Sequence, residues 1–176
     1  MMTRSMRRQY AALLRAISNV SMQPFRDALE DLGFADVDSY GMSGNLLFNA
    51  RAGSVADLER RINERLGVVT FVRKRSELAG VVSQNPYSDS RGASVLFLKR
   101  APRATQIRKL TQLDFNTDPP VIRRRVVFFR HPTTVRGRRT PVDFEQLLDI
   151  EGTARSARVV SAILGRMSGS ATHEDG

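Results

Sequence analysis

Apolar residues along this chain repeat in two rhythms, one of two residues and one of three to four. Over Gln9–Ile17, Tyr10, Ala12 and Leu14 share one side of an extended backbone, and Ala11 and Leu13 share the other, which predicts a first strand. Met22, Phe25, Leu29 and Leu32 then return at helical spacing. Ser21 is placed to cap that helix and Gly33 to stop it. Pro24 is tolerated because the first turn has no N–H bond to lose. Val37–Tyr40 and Asn45–Ala50 read as an antiparallel pair about a turn at Gly41–Gly44. Ser54 caps a second helix whose stripe is Val55, Leu58, Ile62 and Leu66, ended by Gly67. Val68–Arg73 is β-branched and aromatic, hence a strand.

The order β-α-β-β-α-β is the split βαβ pattern of ferredoxin-like folds. A short helix from Ser76 to Gln84 ends at Asn85-Pro86, and Tyr87–Gly92 reads as a loop between halves. Ala93–Lys99 is a strand apolar on both faces, so both are expected to be covered. After it the pattern gives a helix over Ala104–Leu113, strands over Val121–Arg123 and Arg125–Arg130, and helices over Pro141–Ile150 and Thr153–Met167. The second half thus reads β-α-β-β-α-α. The expected fold is α+β: two tandem ferredoxin-like (β-α-β-β-α) halves with antiparallel or mixed sheets and helices packed on them. Residues 1–86 and 87–167 form the halves and 168–176 a disordered tail. Two sheets or one continuous sheet both fit this pattern.

Charge changes the picture more than composition does. The chain carries 28 Lys and Arg against 18 Asp and Glu, a formal charge of +10. Residues 1–70 hold a net +1 and residues 71–176 a net +9, so any attraction for anions lies in the second half. No cysteine is present, which removes disulfides, thiolate metal sites and cysteine nucleophiles. With only His131 and His173, a multi-histidine metal centre is excluded as well. No apolar run approaches the ~20 residues of a membrane-spanning helix. Arg15 interrupts the apolar stretch after Arg7-Arg8, so no export leader or membrane partner is expected, and the chain is read as cytoplasmic.

Arg136-Gly137-Arg138-Arg139 is the most suggestive cluster. Its guanidinium groups lie on a loop before Pro141, where the following helix N-terminus would add attraction for phosphate or carboxylate. Arg155 and Arg158 are lesser members of the same set. Arg123-Arg124-Arg125 alternates across a strand, so these three cannot make one flat patch. Base stacking on the sheet is not expected, since only Tyr10 and Phe48 occupy the strands that would present aromatics. Ser43-Gly44-Asn45 sits at a hairpin tip, where turn chemistry accounts for all three and a polar ligand contact is the other reading. No catalytic residue, metal ligand set or cofactor loop emerges.

The segment Tyr10–Ile17, reading YAALLRAI, resembles the opening strand of the bacterial domain-of-unknown-function family numbered 1697, typically Y-x-A-L-L-R-G-I-N-V-G-G. The likeness continues through Met22, Leu29, Leu32-Gly33-Phe34, Val37, Tyr40, Ser43-Gly44-Asn45 and Phe48, in order and spacing. Asn85-Pro86, the strand around Val95–Leu98, Pro132 and Thr153-Ala154-Arg155 also correspond. Departures fall at polar and aromatic positions. Ala16–Val20 lacks the family's glycines, Gly137–Pro141 lacks its G-R-S-K-L lysine, and Arg155–Val160 lacks its R-N-W tryptophan. The resemblance implies the fold and a divergent member; the family has no established activity to carry over.

Three functional readings follow from these residues. The first is non-catalytic binding of nucleic acid or a small anionic ligand by the basic second half. The second is an enzyme on a small anionic substrate, with Arg15, Ser43 and Asn45 near a cleft. The third is a self-association module that pairs through a sheet edge. Oligomeric state is not legible in the sequence.

Overall fold

A computed structural model describes residues 7–89 and 91–169. Its elements run β1 (Arg7–Leu14), α1 (Gln23–Asp31), β2 (Ala35–Ser39), β3 (Asn45–Arg51), α2 (Val55–Leu66), β4 (Thr70–Lys74) and α3 (Arg75–Gln84). The same sequence of elements then repeats as β5 (Ala93–Leu98), α4 (Ala104–Thr111), β6 (Val121–Arg123), β7 (Val126–Arg130), α5 (Phe144–Leu148), β8 (Gly152–Ser156) and α6 (Ala157–Gly169). Two separate four-stranded antiparallel sheets result, ordered β2-β3-β1-β4 and β6-β7-β5-β8. The fold is α+β with two tandem ferredoxin-like halves. Ser168 and Gly169 complete α6, and residues 170–176, with the tail expected there and His173, lie outside the described residues.

By contacts the chain forms two compact units, one of residues up to Gly80 plus those from Ser161 onward, the other Val81–Val160. The division therefore falls inside α3 and again inside α6. A boundary drawn at Asn85-Pro86 follows the loop between the repeats, whereas these units follow packing.

Two helices expected in the second half are corrected. The helix expected over Thr153–Met167 begins only at Ala157, because Gly152–Ser156 is a strand, antiparallel to β5. In Gly-Thr-Ala-Arg-Ser only Thr153 favours a strand locally; the buried β5 supplies the pairing partner. Gly152 suits it, since a Cβ there would meet the Phe97 carbonyl oxygen at 2.9 Å. The helix expected from Pro141 starts three residues later, after Asp143 accepts a hydrogen bond from the Gln146 N–H at 3.1 Å.

In the first unit Tyr10, Ala12, Leu14, Leu46, Phe48, Leu58, Ile62 and Val72 form one buried cluster. Phe34, Phe48 and Tyr10 stack with centroids 4.6 and 5.6 Å apart. The Tyr10 ring is fully buried, yet its hydroxyl has no hydrogen-bond partner among the described residues. An unsatisfied buried hydroxyl costs stability, so Tyr10→Phe is expected to raise the unfolding free energy by about 1 kcal/mol. A higher urea midpoint at unchanged slope is the readout; a lower midpoint would mean the hydroxyl has a partner, such as water.

Side chains occupy three backbone donors of the edge strand β4 and one of the edge strand β8. Asn63 Oδ1 and Glu59 Oε2 of α2 accept from the Thr70 and Val72 N–H groups at 2.8 and 2.9 Å, and Glu77 Oε1 accepts from Lys74 N–H at 3.3 Å. In the second unit Glu145 Oε1 of α5 accepts from Gly152 N–H at 2.8 Å. Donors that would otherwise template another strand are thus occupied. The opposite edge of the first sheet is broken by a register irregularity in β2 between Ala35 and Asp38.

Candidate anion-binding site

The arginine loop is anchored on both sides. Thr133 Oγ1 donates to the Arg130 carbonyl at 2.7 Å, Val142 N–H donates to the Thr133 carbonyl at 2.7 Å, and Val135 bridges Phe115. Arg138 N–H donates to the Val135 carbonyl at 3.0 Å, closing a tight turn over Arg136-Gly137 with Gly137 at a φ of +80°. The three guanidinium groups stand in different settings. Arg136 is 77% exposed but ion-paired, its Nε 3.0 Å from Asp114 Oδ2. Arg138 and Arg139 are exposed and have no ionic partner among the described residues.

Arg138 and Lys109 both line an open depression of about 400 Å³, together with Leu113, Pro141, Val142, Leu147 and Asp143. Val142 and Leu147 belong to the margin of the second unit's core, where Phe129 and Phe144 pack with centroids 5.0 Å apart. Lys109 comes from the last turn of α4, an element that no local pattern joins to this loop. The helix-terminus attraction expected after Pro141 is not available: α5 has five residues, and its Gln146 N–H is taken by Asp143.

Arg155 and Arg158 stand elsewhere, on β8 and in the first turn of α6. Arg155 Nη1 donates to Thr153 Oγ1 and to the Ala154 carbonyl, both at 2.8 Å. Burial pulls its pKa down to about 10, still charged at neutral pH. Arg158 is exposed. Arg124, at a φ of +50°, and Arg125 form the turn between β6 and β7, which corrects the strand expected to begin at Arg125.

Ser43-Gly44-Asn45 is explained by the turn. Gly44 has a φ of +74°, and its carbonyl accepts from Leu14 N–H at 2.8 Å. Asn45, 2% exposed, donates from Nδ2 to the Tyr40 carbonyl at 3.1 Å, while Tyr40 N–H donates to the Asn45 carbonyl at 3.0 Å. Ser43 is exposed on the turn. Tyr10 and Phe48 are buried, so neither is available to stack a base. No helix among the described residues is long and apolar enough to cross a membrane.

No curated protein matches the chain. A solved structure of the conserved bacterial protein SP0830 from Streptococcus pneumoniae is similar, with a TM-score of 0.69 at 20% identity over 93% of this chain and 99% of that one. At that identity the likeness is one of fold. The family model described as protein of unknown function (DUF1697) matches residues 6–128. Of the correspondences noted in the sequence, Pro132 and Thr153-Ala154-Arg155 fall beyond that stretch. With well over half its length matched, the chain belongs to the DUF1697 family.

Proposed function

We propose that this protein binds an anionic partner, without catalysis, through the basic second unit, and that it does so in the cytoplasm. The observation that supports this reading is that Lys109 and Arg138 line one depression and neither is in a salt bridge among the described residues. Their two positive charges outweigh the single carboxylate there, that of Asp143, and the surplus attracts a negatively charged group. Arg139 adds to the local field.

The other readings have less to stand on. Asn45 spends its amide on its own turn, which favours a structural role over a catalytic one. The three occupied N–H groups of β4 leave little on that edge for self-pairing.

Fluorescence anisotropy with labelled single-stranded RNA, single-stranded DNA and ATP across a salt series tests the proposal. Binding is expected to be present at low salt, to weaken as salt rises, and to drop about tenfold in Lys109→Ala/Arg138→Ala. No binding at low salt, or binding indifferent to salt and to both residues, would remove it.

A further inference from the structure

We infer that the depression takes a small organic anion carrying one negative charge and an apolar body, rather than a nucleic acid; this rests on the anion-binding reading and narrows it. Its volume of about 400 Å³ lies within the ~300–1,000 Å³ of small-molecule sites. Leu113, Pro141, Val142 and Leu147 give it apolar walls, which a bare inorganic ion would leave unused. An apolar body seated there gains by leaving water.

The charges limit the ligand as the walls do. Lys109 and Arg138 contribute two positive charges, and the Asp143 carboxylate, fixed by the Gln146 N–H, sets one negative charge in the same space. One ligand anion is matched there, and a second meets Asp143. Thr140 and Gln146 remain for neutral hydrogen bonds. A nucleic acid needs a run of cations along its backbone, and of the other two arginines on this loop Arg136 pairs with Asp114 while Arg139 does not line the depression.

NMR titration of the labelled protein with benzoate, inorganic phosphate, benzamide and a short single-stranded DNA separates the parts of this argument. Benzoate has both charge and body, phosphate only charge, and benzamide only body. Benzoate is expected to shift resonances of Leu113, Val142 and Leu147 and to bind about tenfold more tightly than phosphate or benzamide. Lys109→Met/Arg138→Met, at two exposed positions, is expected to weaken it about tenfold or more. Phosphate binding as well as benzoate, or benzoate shifts confined to other residues, overturns the inference. DNA binding that depends on Lys109 and Arg138 with no response to benzoate overturns it alone and leaves the broader reading standing. No binding by any probe removes both.

Discussion

Arg73→Met is expected to lower the unfolding free energy by about 3 kcal/mol, the largest loss among single charge removals in the first unit. Arg73 lies on β4, opposite Ala11 of β1, and is 2% exposed. Its Nη1 donates to the Val72 carbonyl at 3.0 Å and sits 3.7 Å from Glu59 Oε2, and its Nε lies 3.9 Å from Glu77 Oε2. Removing the guanidinium takes the nearby positive charge from the Glu59 carboxylate, 15% exposed, and leaves it beside an apolar side chain. Glu77, about a third exposed, is screened by water and contributes less. Urea unfolding of two comparison variants isolates the cause. Arg60 makes shorter contacts, 2.7 Å to Asp57 and 3.0 Å to Glu64, but all three side chains are exposed, so Arg60→Ala is expected to leave the midpoint unchanged. Adding Glu59→Gln to Arg73→Met is expected to restore most of the loss, because a neutral amide oxygen still accepts from Val72 N–H. A single variant as mild as Arg60→Ala, or a failed rescue, would place the stability of this corner elsewhere.

Most of this architecture is legible in the sequence because burial imposes a period on it. Leu58 and Ile62 repeat at helical spacing and are the buried residues of α2, with Ser54 and Gly67 at its ends as the residue types require. Strand β8 escapes the same logic. Gly152–Ser156 has burial on its first two residues only, no aromatic and one β-branched residue, so its pattern carries no two-residue rhythm. Its conformation comes from β5, far away in sequence, and tertiary pairing is invisible to a local window. The duplication would have pointed to it. An element after α5 equivalent to β4 completes the second repeat, and residue identity does not advertise that repeat.

Candidate site residues were less legible, and for a different reason. Arg136 and Arg138 look alike in the sequence, but Arg136 is committed to Asp114 while Arg138 faces the depression. Charge counting gives the sign of a surface and says nothing of which cations are already spent. Lys109 carried a weaker signal still, one lysine in the last turn of a helix, where cations are common because they suit the helix dipole. Arg73 is the opposite case: a charged residue at the end of the strand expected over Val68–Arg73, it is enclosed. The carboxylates that make this tolerable come from α2 and α3, elements no single window combines.

Gly44→Ala is expected to cost about 3 kcal/mol, which would assign the Ser43-Gly44-Asn45 triplet to folding rather than to ligand contact. Part of the loss, about 1–2 kcal/mol, is the left-handed backbone at a φ of +74°, which an L side chain resists. The rest is space. A Cβ on Gly44 would stand 2.8 Å from the Leu14 Cβ and 3.2 Å from the Leu14 carbonyl oxygen, both at the buried end of β1, which cannot yield without moving the strand. Gly67 separates the two contributions: its φ is +65°, but no atom lies within 4 Å of an added Cβ, so Gly67→Ala is expected to cost only about 1 kcal/mol. Ser43→Ala, at an exposed turn position, is expected to change neither the urea midpoint nor the anion titrations. Should Gly44→Ala prove no worse than Gly67→Ala, Leu14 yields and packing does not account for the glycine. Should Ser43→Ala weaken anion binding, the hairpin tip rather than the α4–α5 depression holds the ligand.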